Sequence, residues 1–261
     1  MKTYLMTGHR GVVGSALVKS FNQSGHKLFY YDKNREVQAD CCLHLAGKFT
    51  NDVNRLIDSN INFMNEVIEY CKKCNIRKLI FFSGAKAYGN WNREHIKETE
   101  TYLDPDIYGL SKLFGEKMLE MSGLECLVLR FPGILTPESK TGFLSMFYHK
   151  LICNEDIILT NANKIFNNFV FIDDIFKFLV NIKIKKSFDV INLAVDHEIT
   201  LMDIVSIMKE KLRSTSKIIV LDKDQNFFNL SIEKAKSEYG FKPTPAKQSI
   251  IDWLNQRINN D

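Results

Sequence analysis

The sequence predicts an α/β fold built on a doubly wound parallel sheet that lacks one of its usual strands. Short apolar runs alternate with longer segments that carry apolar residues at helical spacing, as in repeated strand–helix units. A glycine-rich turn, residues 8–14, separates the first apolar run from the first helical segment. Residues 33–40 cannot hold a helix, a strand and a second helix, because each crossover between parallel strands needs about a dozen residues. The usual third strand is therefore missing, and the second strand becomes the sheet edge.

The apolar patterns and the Gly and Pro breaks define the elements in order. The first half has strands at 2–7, 27–31, 41–46, 78–83 and 124–131, helices at 11–24, 52–74 and 106–122, and a polar loop at 84–105. The second half has strands at 169–172, 188–193 and 217–221 and helices at 142–153, 175–182, 201–213, 231–239 and 246–258. We expect Asp173-Asp174 and Thr200 to cap the helices that follow them.

Composition excludes several classes of protein. The chain has 261 residues, 45% hydrophobic and 25% charged, and its 35 basic and 31 acidic residues are interspersed. It therefore has no nucleic-acid-binding tail or polybasic membrane patch. No apolar run reaches the roughly 18 residues of a membrane span, and we expect no signal peptide. The pair Cys71 and Cys74 ends a helical pattern with no second pair nearby, so we predict helix packing, no metal site and a reducing, cytoplasmic location.

The glycine turn is the first candidate binding site. Gly8, Gly11 and Gly14 have the spacing G-x-x-G-x-x-G between a strand and a helix. Such a turn lets the backbone approach a pyrophosphate, and the helix N-terminus supplies N–H donors and a positive dipole end. The glycines could also serve only a tight turn. The context favours dinucleotide binding.

Asp32 ends the second predicted strand. A carboxylate there can accept hydrogen bonds from the adenosine ribose hydroxyls, which favours NAD over NADP. A solvated loop acid is the alternative interpretation. Lys33 and Arg35 stand close enough to meet a 2′-phosphate, so NADP stays open. Because the next strand is missing, we expect the adenine side of this site to be open.

Tyr108 and Lys112 are the candidate proton-transfer pair. They lie at i and i+4, on one face of a predicted helix. A tyrosine exchanges a proton with a carbinol oxygen when its pKa falls towards neutrality, and a nearby ammonium group with an oxidised nicotinamide would lower it. Such pairs also occur by chance on surface helices. The glycine turn at the start of the chain makes the functional interpretation the stronger one.

With these motifs the chain resembles the extended short-chain dehydrogenases/reductases of the sugar-nucleotide epimerase/dehydratase type. Residues 7–14 match T-G-x-x-G-x-x-G, residues 44–47 match H-x-A-[AG], and residues 108–112 match Y-x-x-x-K. Weaker matches are Asn60-Ile61-Asn62, Tyr88-Gly89 and residues 169–174, 192–194 and 239–243. The glycine turn is particularly similar to that of GDP-fucose synthases.

The resemblance implies a Rossmann-type fold, an NAD cofactor with NADP possible, and a set of site residues. Tyr108 would be the acid/base, Lys112 would lower its pKa and hold the nicotinamide ribose, and Ser83 or a water beside Gly84 would polarise the carbonyl. The implied cofactor contacts are Gly8, Arg10, Gly11, Val12, Val13, Gly14, Asp32, Leu45, Ala46, Gly47, Asn60, Tyr108, Lys112 and Phe131. The substrate would be a nucleotide-linked sugar. A homodimer would form through helices 52–74 and 106–122.

Several positions depart from the family pattern. Gly84 stands where relatives have the catalytic Ser or Thr, and Lys86 stands where dehydratases have an acid and GDP-fucose synthases a cysteine. Pro132 and Asn167 replace an Asn and an Arg that hold the substrate diphosphate. Dehydration and double epimerisation are therefore disfavoured.

The sequence thus predicts NAD(P)-dependent oxidoreduction at a sugar carbonyl or carbinol, by a nucleotide-sugar 4-ketoreductase or epimerase. A non-catalytic NAD(P)-binding sensor or assembly protein is the alternative, as is a reductase of small non-nucleotide carbonyls. We expect a cofactor-binding domain of residues 1–135 and 160–195. Residues 136–159 and 196–261 would form a small substrate-binding lobe.

Overall fold

A computed structural model describes residues 1–196, 199–223 and 225–259 of the chain. The strands are, in chain order, β1 (Thr3–Thr7), β2 (Lys27–Tyr30), β3 (Cys41–His44), β4 (Lys78–Gly84), β5 (Arg93–Ile96), β6 (Glu125–Phe131), β7 (Ile134–Leu135), β8 (Ile157–Leu159), β9 (Val170–Phe171), β10 (Phe188–Asn192), β11 (Ile218–Val220) and β12 (Phe228–Leu230). The helices are α1 (Val12–Gln23), α2 (Val53–Leu56), α3 (Phe63–Lys73), α4 (Ile107–Glu120), α5 (Phe143–Ile152), α6 (Ile172–Asn181), α7 (Leu201–Lys211), α8 (Glu233–Tyr239) and α9 (Ala246–Ile258).

The central sheet has six parallel strands in the order β10-β6-β4-β3-β1-β2. The predicted parallel α/β fold is therefore confirmed. β2 pairs only with β1 in this sheet, and residues 31–40 lead to β3 on the other side of β1 with no helix between them. The missing third strand is confirmed as well, and β2 is the edge.

Both faces of the sheet are buried by helices. Successive side chains of a strand point to opposite faces, so each strand contributes residues to both. On one face Leu5, Phe81 and Val128 pack with residues of α3 and with Leu119 of α4. On the other face Tyr4, Phe82 and Leu129 pack with α1 and α6. Full burial of each such side chain contributes about 1.5–3 kcal/mol.

The second half of the chain adds to this core. Outside the central sheet, the described strands form three two-stranded pairs, β7–β9, β8–β11 and β5–β12. The hydrophobic cluster of the α1 face continues through α5, α7 and α9, where Trp253 is fully buried and donates to the Thr136 carbonyl at 3.0 Å. The proposed lobe of residues 196–261 includes His197, Glu198, Asp224 and residues 260–261, which lie outside the described part.

Several local predictions are corrected. The predicted loop at 84–105 contains the 3-10 turn Ala85–Tyr88 and β5, and β7, β8 and β12 were not predicted. The long helix at 52–74 is interrupted by a π-helical segment, Ile57–Asn62, between α2 and α3. Asp173 and Asp174 do not cap α6: the helix starts at Ile172, both lie in its first turn, and Asp174 accepts hydrogen bonds from Thr244.

One further local prediction, the cap of α7, is confirmed. Thr200 caps α7 through a capping box with Asp203, which satisfies two backbone donors. The six cysteines are all free thiols. Across the described ranges, no helix has the length and apolar character that crossing a bilayer requires.

Candidate active site

The glycine turn connects the carboxyl end of β1 to α1. Gly8 has φ +72°, and a Cβ there would come within 2.7 Å of the Ala46 nitrogen. A Cβ on Gly14 would overlap the carbonyl group of Gly8. Only glycine fits both positions, so the turn packs directly on the loop that follows β3. The sequence predicted the turn. The structure adds that Gly8 allows the contact between the two loops, and that Gly14 allows the turn to pack closely on its own Gly8 carbonyl.

The start of α1 has the features of an anion site. Its N-cap is Gly11, and no side chain caps the first turn, which contains Val12 and Val13. The N–H groups of an uncapped first turn and the positive end of the helix dipole favour a phosphate. Arg10, an exposed residue, precedes this turn.

Thr7 joins the two loops. Its Oγ1 accepts a hydrogen bond from the Ala46 nitrogen at 3.2 Å and lies 2.8 Å from Nδ1 of His44. His44 is fully buried, and burial, with a further effect from Lys112, lowers its pKa to about 3. The imidazole is therefore neutral at physiological pH and acts as a packing and hydrogen-bonding group.

Asn60 fixes the loop that contains Leu45, Ala46 and Gly47. Its Oδ1 accepts from the Lys48 nitrogen at 2.7 Å, and its Nδ2 donates to the Lys48 carbonyl at 3.1 Å. Nδ2 also donates to Ser111 Oγ of α4 at 2.9 Å. Asn60 lies in the π-helical segment, a feature that often marks functional sites. The predicted cofactor contact thus also ties the loop to the helix that carries Tyr108.

Lys112 lies inside the protein, with only 4% of its surface exposed. Its Nζ donates to the Phe82 carbonyl at 3.1 Å and lies 5.6 Å from the centre of the Tyr108 ring. A Cβ on Gly47 would lie 3.1 Å from the same Nζ. Burial lowers the pKa of Lys112 to about 8, while Glu116 acts in the opposite direction. The structure therefore brings the predicted Tyr–Lys pair next to the predicted cofactor loop.

Tyr108 is partly buried near the start of α4, which is capped by Asp106. Burial raises the pKa of Tyr108 to about 12, and Asp106 raises it further. The protein by itself thus keeps the phenol protonated at neutral pH. We expected Lys112 together with an oxidised nicotinamide to lower this pKa, whereas in the protein alone burial raises it.

Ser83 is not placed for the predicted catalytic role. Its Oγ donates to Glu116 Oε1 at 2.6 Å, in a buried contact with α4. Ser83 and Gly84 are successive residues of β4, so their side-chain directions point to opposite faces of the sheet. The Ser83 hydroxyl is directed to a buried carboxylate, which favours the alternative prediction that a water beside Gly84 polarises the reacting carbonyl.

Gly84 is the β4 residue that faces the Tyr108 hydroxyl. A Cβ at Gly84 would lie 4.0 Å from the Tyr108 hydroxyl oxygen and 3.9 Å from the Phe131 carbonyl oxygen. These are ordinary contact distances, and Gly84 has an extended backbone. The site therefore has room for a larger side chain there. The Phe131 ring itself is buried and packs on Phe82, with 4.9 Å between ring centres.

An open cleft of about 640 Å³ runs along the edge strand β2. It is lined by Arg10 and Asp32, together with Lys33 and Arg35. Asp32 is exposed, and its Oδ1 accepts from the Asn34 nitrogen at 2.9 Å. The open edge predicted from the missing strand is present. Both the carboxylate that suits NAD and the cations that suit NADP line it.

A second cavity, of about 290 Å³, lies between Trp91, Phe143, Phe166 and the loop before β12. Asn167, at the position of the usual arginine, is buried behind it. Its side chain pairs with the backbone of Leu230 through hydrogen bonds of 2.8 and 3.1 Å. Asn167 therefore holds β12 in place.

Two residues near Tyr108 were missed. Phe49 stands edge-on to the Tyr108 ring, with 4.9 Å between ring centres, although it is 70% exposed. Lys86 pairs with Asp106 at 2.7 Å, and its Nζ lies 5.4 Å from the centre of the Phe49 ring. Both residues are far from Tyr108 in the sequence, so the contact was not predicted. The available signals were that Phe49 closely follows the H-L-A-G motif and that Lys86 stands where relatives have functional residues.

Comparison with known proteins agrees with this geometry. Residues 4–194 match the model of the NAD dependent epimerase/dehydratase family. A putative UDP-glucose 4-epimerase from Methanocaldococcus jannaschii is 26% identical over 305 aligned positions, which cover 98% of this chain and 99% of that protein. The Bordetella bronchiseptica enzyme WbmG, solved in complex with NAD, has a TM-score of 0.84 at 18% identity, covering 99% of this chain and 94% of that one.

A second structure, the UDP-glucuronic acid 4-epimerase from Bacillus cereus in complex with NAD, has a TM-score of 0.79 at 18% identity and covers 98% of this chain and 99% of that one. At these identities the solved structures support the fold alone. The family model spans most of the chain, including the glycine turn and the Tyr108–Lys112 pair. This chain therefore belongs to the NAD dependent epimerase/dehydratase family, and it is an enzyme of the extended short-chain dehydrogenase/reductase type.

Proposed function

We propose that the protein is an NAD(P)-dependent oxidoreductase that acts on the carbonyl or carbinol of a nucleotide-linked sugar, as a 4-ketoreductase or a 4-epimerase. The observation that carries this proposal is the position of Lys112, whose Nζ lies between the Tyr108 ring, the Phe82 carbonyl and the loop at Gly47. The names of the relatives, which are UDP-sugar 4-epimerases, support the substrate class.

The residues present fit a dinucleotide. The turn has no room for a Cβ at Gly8, which packs on the loop at Ala46, or at Gly14, which packs on Gly8, and the uncapped start of α1 suits a pyrophosphate. Asp32 would accept hydrogen bonds from the adenosine ribose in the open cleft. When bound, the nicotinamide would supply or accept the hydride.

Tyr108 would hold and move the proton. Its phenol is protonated at neutral pH, which is the form that donates to a carbonyl oxygen during reduction. For the reverse step the phenol must lose its proton, and the positive charges of Lys112 and of an oxidised nicotinamide would favour that loss. Because Ser83 points elsewhere, a water in the space at Gly84 would be the second donor to the reacting oxygen.

The aromatic cavity beside Trp91 would hold the nucleotide part of the substrate. Its walls combine the Phe143 and Phe166 rings with amide side chains such as Asn161 and Asn168. Flat rings suit a nucleobase, and amides suit its polar edge. In this proposal the substrate-binding lobe, residues 136–159 and 196–261, shares this cavity with residues 1–135 and 160–195, which also bind the cofactor.

A homodimer is part of the proposal. The surface of α4 exposes Ile107, Leu110 and Phe114 at helical spacing, and Val53 and Ile57 are exposed in the neighbouring α2 and π-helical segment. Leu110 and Phe114 are more than half exposed. Exposed apolar stripes of this kind are typical of protein interfaces.

A non-catalytic NAD(P)-binding role is favoured by one observation, the lack of a hydroxyl side chain at Gly84.

A product assay separates the two functions. The NAD-loaded protein is incubated with UDP-glucose, UDP-glucuronic acid and their 4-epimers, and the sugars are followed by proton NMR. Interconversion at C4, or accumulation of enzyme-bound NADH, supports the proposal. The same assay is run with the corresponding 4-keto sugars and NADH. Tight NAD binding without any product in either assay would favour the non-catalytic NAD(P)-binding role.

A further inference from the structure

Glu116 is a buried carboxylate that the proposed mechanism does not use. It lies one helical turn after Lys112 in α4 and is 5% exposed. Its Oε1 accepts from Ser83 Oγ at 2.6 Å and from Arg130 Nε at 3.0 Å, and its Oε2 accepts from Arg130 Nη2 at 2.6 Å. Arg130 is 1% exposed. We refer to Ser83, Glu116 and Arg130 as the Glu116 cluster.

The Glu116 cluster joins α4 to the sheet. Ser83 belongs to β4 and Arg130 to β6, and the two are paired neighbours in the sheet register. Glu116 follows Tyr108 and Lys112 at intervals of four residues, so the three side chains lie along one side of α4. A two-point ion pair with Arg130 is directional, since the guanidinium presents its donors in a fixed plane. The cluster therefore restricts the rotation of α4 that places Tyr108 and Lys112.

Glu116 also differs in charge from the other groups that face Lys112. From β3, His44 is neutral because burial and Lys112 itself lower its pKa. From α4, Tyr108 is neutral because burial raises its pKa. The remaining polar contact is the uncharged carbonyl of Phe82 in β4. Within the described residues, Glu116 is the anionic group that acts on the Lys112 ammonium.

We propose that Glu116 is a positioning residue that orients α4 and supplies the opposite charge one helical turn from the Lys112 ammonium, without touching substrate or cofactor. The inference rests on the proposed role of Lys112 in the function given above. Through Glu116, Ser83 and Arg130 support the site indirectly. This explains why the Ser83 hydroxyl points away from Tyr108.

The test is a pH titration of the Lys112 side chain by NMR, using 13Cε-labelled lysine in the full-length protein. The Lys112 signal is assigned by its loss in Lys112→Arg. In the wild type we expect a midpoint of about 8. In Glu116→Gln the midpoint should fall by roughly one pH unit, because the opposite charge one helical turn away has been removed. The control is Glu120→Gln, which removes an exposed carboxylate from the same helix and should leave the midpoint unchanged.

Glu116→Gln leaves Arg130 buried without its counter-charge, so folding is checked by circular dichroism. Glu116→Gln/Arg130→Met removes both charges and serves as the second variant. It should also lower the midpoint, because Glu116 is the member of the pair that acts on Lys112. Equal midpoints in a folded variant and the wild type would overturn the inference. The titration needs neither cofactor nor substrate, so its outcome is independent of whether the proposed reaction is found.

Discussion

The Lys112 ammonium group donates a hydrogen bond to the carbonyl oxygen of Phe82, 3.1 Å away, in the interior of the protein. This places a cation where burial opposes its charge, and its pKa falls from 10.5 to about 8. Such a position is costly for folding and useful for chemistry. Replacing Lys112 should therefore raise the stability of the folded protein and lower its activity.

Lys112→Met should stabilise the folded protein near neutral pH. Below pH 8 the folded state must bury a charge that the unfolded state exposes, so the lysine costs stability on the order of 1–3 kcal/mol. Between pH 8 and 10.5 the folded protein releases its proton first, so this cost shrinks as the pH rises. Urea unfolding of both proteins at several pH values measures the difference. A variant less stable than the wild type at pH 7, with no pH-dependent change in the difference, would contradict the account.

Gly84→Ser should increase turnover. A Cβ fits there without strain and lies 4.0 Å from the Tyr108 hydroxyl oxygen, so the serine hydroxyl can reach the reacting oxygen. One added hydrogen-bond donor in such a site is worth roughly ten-fold or more in rate. Gly84→Ala is the matched control: it fills the same space without a donor and should lower turnover by displacing water. If serine and alanine depress the rate equally, the space at Gly84 serves another purpose.

Asp32→Ala should weaken the binding of NADH more than that of NADPH. The carboxylate would accept hydrogen bonds from the ribose of NADH, whereas it would repel a 2′-phosphate, and Lys33 and Arg35 line the same cleft. Loss of a charged hydrogen bond corresponds to about 1.5–3 kcal/mol, or roughly ten- to a hundred-fold in affinity. Fluorescence titration with both nucleotides measures this. Unchanged NADH affinity would place the adenosine ribose away from Asp32.

Leu110→Glu should convert a dimer to a monomer. Leu110 is 53% exposed, in the middle of the apolar stripe of α4, and a carboxylate in an interface core leaves a buried unpaired charge. Light scattering coupled to size-exclusion chromatography gives the mass of both proteins. Met121→Glu, which changes a 77% exposed residue just beyond α4, is the control. A wild type that elutes as a monomer would remove the dimer from the proposal.

Most of the fold was readable from the sequence because it depends on local patterns. The strands and helices around Gly8, Asp32 and Lys112 lie where apolar spacing and glycine breaks placed them. The missing third strand followed from chain length alone. By contrast, β5 and β12 are short and pair with each other across a long separation, so no local pattern identified them.

The site was predicted less completely, for a similar reason. Motif spacing located Tyr108, Lys112 and the glycine turn. It could not show that Ser83 donates to Glu116, because that contact depends on which face of β4 packs against α4. Phe49, which packs on the Tyr108 ring, and Lys86, which lies over the Phe49 ring, are distant from Tyr108 in the sequence, and only the fold brings them together. In the sequence, Asn167 stands where relatives have an arginine that holds the substrate diphosphate. In the structure, its side chain pairs with the backbone of Leu230 and anchors β12.

The central claim is that Tyr108 exchanges the proton in a reaction of a bound dinucleotide. Its most direct test compares the wild type and Tyr108→Phe in two assays, NADH binding by fluorescence and C4 interconversion of UDP-sugars by NMR. The account predicts that the variant binds NADH within about two-fold of the wild type and loses at least about a hundred-fold in turnover. Turnover that survives in Tyr108→Phe would contradict the claim and move the chemistry to another residue.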